Sequence, residues 1–177
     1  MEFYILNSDR QWIDVIDYHK SGIWTPRYYD VGDFEIYVES TPQTINVLRE
    51  GNYVTRPDSN MACIIEKIQA TTDAENGKYL IVTGRSLQSI LGRRIIWQQT
   101  NLAGTVEDCI RQLINENIIN PAIPGRKIDD FVLADKVGFE DTMEMQVTGD
   151  NLLDVIKNLC QTYEYGFDVV FNDAMQF

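Results

Sequence analysis

Met61-Ala62-Cys63-Ile64-Ile65-Glu66-Lys67-Ile68-Gln69-Ala70-Thr71-Thr72-Asp73-Ala74-Glu75-Asn76-Gly77-Lys78-Tyr79-Leu80-Ile81-Val82-Thr83 is the stretch that decides the fold. Residues 61–71 and 79–83 are rich in β-branched and apolar types, which suit a pleated surface. Between them Asp73–Gly77 is turn chemistry, since Asn76-Gly77 accepts positive φ. Two strands and a tight turn make a β-hairpin, so a sheet organises this part of the chain.

Working back from the hairpin, Phe34, Ile36 and Val38 alternate with Glu35, Tyr37 and Glu39. That period of two is a half-buried strand. Residues 2–7 form another short strand. Residues 11–19, with Trp12, Ile13, Val15, Ile16 and Tyr18, are ambiguous by period but extended by residue type. Residues 23–30 are aromatic and broken by Pro26, which suits a sheet edge or an irregular segment. Thr41-Pro42 is an N-cap followed by proline at the first helical position, predicting a helix over 42–49. Ile45 and Leu48 share its face and Gly51 stops it. Tyr53 and Val54 begin an extended stretch that ends near Pro57-Asp58.

Working forward, Gly84 ends the return strand and Ser86 caps a short helix carrying Leu87, Ile90 and Leu91. Arg93-Arg94 and the apolar Ile95, Ile96 and Trp97 follow. The period then changes. Thr105 with Asp108 resembles a capping box, and Val106, Cys109, Ile110, Leu113 and Ile114 fall at helical spacing to about residue 117. Pro121, Pro124 and Gly125 mark a loop. Short strands are expected at 130–134 and across Met143, Met145 and Val147. Asp150 caps a helix presenting Leu152, Ile156, Leu159 and Tyr163, Gly166 ends it, and residues 167–171 return to strand. The pattern is α+β: a mostly β domain over 1–98 with short helices, then an α/β domain over 99–177, with a soft boundary at 98–104. The sequence stops directly after a strand, so the second domain is expected to be incomplete at its C-terminal end.

Composition limits the function classes. With 44% hydrophobic residues the chain has material for a packed core rather than a disordered tail. A net charge of −12, from 27 acidic and 15 basic side chains, repels phosphate overall, so specific nucleic-acid binding is not expected. The same sign suits a passage through which nucleic acid slides without sticking. Cys63, Cys109 and Cys160 are far apart and odd in number; they read as small buried hydrophobes made in a reducing compartment. No run of residues suits a signal peptide or a membrane span.

Catalytic chemistry finds little support. His19 is the only histidine, so no histidine-based zinc cluster is possible, and it reads as an ordinary partly exposed position rather than a catalytic base. There is no GxSxG, GxxxxGK[ST] or GxGxxG motif, and no cofactor or metal is expected. Glu107/Asp108, Asp129/Asp130 and Glu140/Asp141 are the candidate carboxylate pairs for a glycosidase. Each is adjacent in sequence and lies in a loop or at a helix start, where acids are expected from the dipole alone. Arg85, Arg93 and Arg94 form the main positive cluster: either a subunit-contact site, since arginine makes forked planar contacts, or simple surface charge. Trp24, Tyr28 and Tyr29 form an aromatic patch that suits a contact surface or, preferably, core.

Three segments in order carry a family resemblance. They are residues 23–38 (from Ile23-Trp24-Thr25-Pro26-Arg27 to Phe34-Glu35-Ile36-Tyr37-Val38), then 52–58 (Asn52-Tyr53-Val54-Thr55-Arg56-Pro57-Asp58) followed by Ile64-Ile65-Glu66-Lys67-Ile68, then 82–95 (from Val82-Thr83-Gly84-Arg85-Ser86-Leu87 to Leu91-Gly92-Arg93-Arg94-Ile95). Together they resemble the Gp37-like family of siphophage tail proteins, closely over about 20–97 and more loosely beyond. The resemblance implies a relation to baseplate hubs and to secretion-system spikes of the VgrG type. It implies a hub-type β-barrel followed by a smaller α/β domain, a homo-oligomer (commonly a trimer) contacting other tail proteins, and no catalytic residues. It places the protein in the virion tail after synthesis in the host bacterial cytoplasm. A tail-associated cell-wall hydrolase and a carbohydrate- or receptor-binding module are the alternatives.

Overall fold

The computed structural model describes residues 1–73, 77–171 and 175–177. The turn expected across 73–77 falls at 74–76, outside the described residues. The chain divides into two compact units, one of Met1–Arg27 with Val31–Leu87 and one of Tyr28–Asp30 with Gln88–Phe177. The fold is mixed α+β, mostly sheet with a few short helices.

The first unit is a seven-stranded antiparallel sheet. Its strands are β1 (Phe3–Leu6), β2 (Trp12–Ile16), β3 (Ser21–Thr25), β4 (Asp33–Glu39), β5 (Tyr53–Arg56), β6 (Ser59–Asp73) and β7 (Gly77–Ser86), with helix α1 (Pro42–Val47) between β4 and β5. The spatial order is β2-β1-β5-β6-β7-β4-β3. The described ladders end at β2 and β3, and no ladder between those two strands is among them.

Period-two patterning puts one face inward. Phe34, Ile36 and Val38 of β4 are buried with Phe3, Ile5, Val54, Cys63, Ile65, Leu80 and Val82. The 59–86 hairpin is longer than the sequence suggests because Gly84 sits inside β7 rather than ending it. A Cβ there would lie 1.8 Å from the Ile64 carbonyl oxygen and 2.7 Å from the Phe34 ring. Glycine is needed for that close approach, next to the β-bulge between Ile65 and Lys67. Ser86 likewise does not cap a helix. It ends β7, and its Oγ accepts from the Gly32 amide at 2.8 Å. In α1 the reciprocal Thr41–Thr44 cap forms with Pro42 in the first turn. Thr44, Val47 and Leu48 turn inward, whereas Ile45, expected on the inner face, is 54% exposed.

The longer part of the second unit starts at Gln88, within a 3₁₀ segment, Leu87–Arg93, whose Ile90 and Leu91 are buried. Strand β8 (Thr100–Thr105), helix α2 (Val106–Ile114), strands β9 (Phe131–Val132) and β10 (Thr142–Val147), helix α3 (Leu152–Tyr163) and strands β11 (Val170–Phe171) and β12 (Met175–Gln176) follow. Strands β8 and β10 pair antiparallel, and β12 joins β11 antiparallel and β9 parallel. Thr105 caps α2 as expected, and the helix continues as a π-turn over Asn115–Ile119. The α3 cap is Asn151, not Asp150: its side chain accepts from the Leu153 and Asp154 amides. The helix stops at Glu164, in the left-handed region at φ 59°. Gly166 has another role, since a Cβ there would meet the Tyr28 ring at 2.3 Å. All three cysteines are buried.

Candidate functional site

The six residues singled out from sequence do not form one site. Trp24, on β3, is half-buried in the first unit. Its ring meets Phe3 and Phe34 with centroids 6.0 and 5.9 Å apart, Nε1 donates to Ser59 Oγ at 3.1 Å, and Arg56 lies over its face. Tyr28 and Tyr29 fall in the second unit, edge to face at 4.8 Å, with Tyr28 over Gly166. Arg85 is committed to a neighbouring strand: Nε and Nη2 both donate to Glu66, at 2.8 and 2.9 Å. That forked bond raises its pKa.

Arg93 and Arg94 do come together, with a third arginine that the sequence did not mark. The Leu87–Arg93 segment hands the chain to Arg94–Ile96, whose backbone is pinned by bonds from Leu152 N to Arg94 O, Ile96 N to Asp150 O and Gly149 N to Ile96 O. The Pro124–Arg126 3₁₀ turn brings in Arg126. Arg94 Nε donates to the Arg126 carbonyl at 2.9 Å, and Arg126 Nη2 donates to the Ile95 carbonyl at 2.6 Å. Arg126 also lies over the Trp97 ring, 5.3 Å from its centroid. The buried Asn117 sets the Trp97 backbone, accepting from its amide at 3.2 Å. Burial first, then the charges of Arg126 and Arg93, lower the Arg94 pKa. Arg27, Arg56, Arg85, Lys127, Lys136 and Lys157 each form an ion pair with a described carboxylate. Among the described residues no carboxylate forms an ion pair with Arg93, Arg94 or Arg126. Trp97, Ile95 and Ile123 beside them are 57%, 43% and 41% exposed.

Four of the six candidate carboxylates, Glu107, Asp108, Asp129 and Asp141, have structural partners. Glu107 accepts from the amides of Val137, Gly138 and Phe139, at 2.8, 2.8 and 3.1 Å. Burial raises its pKa, but those three bonds and Arg111 outweigh it, and the net shift is downward. Asp108 pairs with Lys136 and Thr105, which lower its pKa. Asp141 takes a short hydrogen bond from the Tyr165 hydroxyl, which with burial pushes the phenol up to about 12. Asp129 faces Lys127 at 3.6 Å, and Asp130 holds a positive φ of 58°. His19 is half-buried edge-on to Phe3, its pKa lowered first by burial and then by the N-terminal charge.

A cleft of about 300 Å³ in the second unit is lined mainly by apolar side chains, among them Ile110, Phe139, Tyr165, Phe167 and Phe177. Phe139 stacks on Tyr165 at 4.0 Å. Cys160 also lines it, but burial pushes the thiol up to about 11, so it is protonated and weakly nucleophilic at neutral pH. Among the described residues no cluster of three His, Cys, Asp or Glu side chains suits a metal ion. No described helix is long and apolar enough to cross a membrane.

Two solved structures share the fold. Prophage tail protein gp18 from Listeria monocytogenes superposes with a TM-score of 0.64 at 12% identity, covering 99% of this chain and 49% of that one. The tail protein from Neisseria meningitidis gives 0.54 at 14% identity, with 99% and 44% covered. At these identities the likeness is one of fold, and this chain spans about half the length of those proteins or less. No curated protein matches the sequence. Residues 2–176 match the family described as Siphovirus ReqiPepy6 Gp37-like protein. The chain therefore belongs to that Gp37-like family of phage tail proteins.

Proposed function

We propose that this chain is a structural component of the tail baseplate hub of a phage or prophage, not an enzyme, and that it self-associates and contacts other tail proteins around the DNA passage. Family membership across residues 2–176 carries the proposal. Three further features support it. The sheet of the first unit keeps strand edges on β2 and β3, and such edges are templates for a neighbouring chain in a closed ring. Further curling, or pairing of those edges with a neighbour, would complete a hub-type barrel. The net charge of −12 suits a passage that DNA must not adhere to. Glu107, Asp108 and Asp141, three of the candidate acids, already hold a loop, a lysine and a tyrosine, which favours a structural over a hydrolytic role for them. On this reading the protein resides in the virion tail after synthesis in the host cytoplasm.

Cross-linking mass spectrometry on purified tails tests the proposal. The expected result is cross-links from the chain to itself and to other tail proteins. Absence of the chain from particles, or peptidoglycan release by the purified chain, overturns it.

A further inference from the structure

We infer that the Arg93, Arg94 and Arg126 cluster beside Trp97 docks the carboxylate-bearing surface of a second copy of this chain. The inference rests on the self-association proposed above and assigns it a surface. Three guanidinium groups held together repel one another, and that arrangement is costly without a counter-charge. The chain has 27 acidic side chains from which to supply one, yet among the described residues none pairs with these three. Glu116, which lines the same small pocket as Trp97 and Arg126, is bonded to Thr100 and Gln112 instead, at 2.9 and 2.8 Å. Asp129 is engaged with Lys127.

The cluster is also built rather than loose. Arg94 and Arg126 are each tied to backbone carbonyls, so their forks are oriented before any partner arrives. Little side-chain entropy remains to be lost on binding. Exposed Trp97, Ile95 and Ile123 around them add apolar contact area. Tryptophan and arginine together are the residue types that dominate interface energies.

Charge complementarity selects the occupant. The chain carries −12 in total while three guanidiniums are gathered here, so the rest of its surface is more acidic than the total implies. A second copy therefore offers the carboxylates that this patch lacks. Basic patch to acidic face is a heterologous contact, the kind that generates a closed ring when its rotation closes. A nucleic acid fits less well, because the net charge repels phosphate and a phosphate backbone makes no use of Ile95 and Ile123.

Sedimentation velocity over a concentration series, at low and at raised salt, tests the assignment. Arg94→Glu or Arg126→Glu would also break the intramolecular bonds, so the variant is Arg93→Glu with Ile123→Asp, both exposed positions. Circular dichroism confirms its folding. The expected result is wild-type self-association that weakens with salt and is weakened about tenfold or more in the variant, the size of a lost interface anchor. Unchanged association in the variant overturns this surface and leaves the self-association reading standing. A chain monomeric at every concentration overturns both. Variant-sensitive binding of a duplex DNA fragment, with association unaltered, makes the patch a nucleic-acid surface and overturns the inference.

Discussion

Phe3 of β1 and Trp24 of β3 meet with ring centroids 6.0 Å apart, although β5, β6, β7 and β4 stand between their strands in the sheet. In a flat sheet, five strand spacings would hold them roughly 24 Å apart. The sheet is therefore strongly coiled, as right-handed strand twist permits, and its inner face becomes the core of the first unit. Gly22 takes part in the coil: a Cβ there would lie 2.9 Å from the Phe3 ring.

Phe3→Ala should therefore cost about 3–5 kcal/mol, the range for a fully buried aromatic. Trp24→Ala should cost less, because that ring is half-exposed. Urea unfolding of both variants checks the order. Equal losses would mean that Phe3 does not hold the coil.

Gly84→Ala should destabilise the chain by about 3 kcal/mol. The added methyl meets the Ile64 carbonyl, which is backbone and has no rotamer to yield. Gly125→Ala, where a Cβ meets nothing within 4 Å, is the control and should be near neutral. Thermal unfolding that ranks the two alike refutes the close approach.

Glu107→Gln should flatten the acid limb of the stability curve. The folded-state pKa lies below the ordinary value of 4.5, so the carboxylate stabilises the fold above that pH. The contribution is lost as pH falls through the depressed folded value. The carboxylate is partly solvated, so the loss at neutral pH is about 1 kcal/mol. Urea midpoints from neutral pH down through the carboxylate range measure it. Identical acid limbs for variant and wild type would remove the loop clamp at 137–139.

Tyr165→Phe should delete one late phenol titration. The bond to Asp141, then burial, raises that pKa to about 12, so the hydroxyl stays protonated and stabilising below the ordinary value of 10. Its contribution is lost as pH rises through about 12. Absorbance titration of tyrosinate, compared between wild type and variant, reads the difference. Loss of a step near pH 10 instead would show that the bond does not form in solution.

Where local period and turn chemistry were strong, sequence and structure agree. The paired strands expected at 61–71 and 79–83, the alternation across 33–39 and the Thr41-Pro42 and Thr105 helix starts were all legible, because each depends on neighbours within a few residues. Strand β8 was not. Thr100-Asn101-Leu102-Ala103-Gly104-Thr105 has weak strand propensity, and its extended form depends on pairing with β10, some forty residues away in the chain.

The candidate site was half-legible for the same reason. Arg93 and Arg94 announce themselves by adjacency, whereas Arg126 reads as part of a proline-glycine loop until the fold brings its carbonyl to Arg94. Arg85 belongs with them in sequence but pairs with Glu66 across a strand. The Trp24, Tyr28 and Tyr29 run is one aromatic patch on paper and is divided between two units in the fold.

The sequence by itself thus determined the α+β pattern, the hairpin, two helix starts, the buried cysteines, the acidic character and the family resemblance. Tertiary structure alone decided the coil that joins Phe3 to Trp24, the close approaches at Gly84 and Gly166, and which charges have partners. The physical reason is range. Strand alternation and helix caps are short-range energies written in consecutive residues, whereas curvature, close packing and charge pairing are set by atoms that only the folded chain brings within a few ångströms.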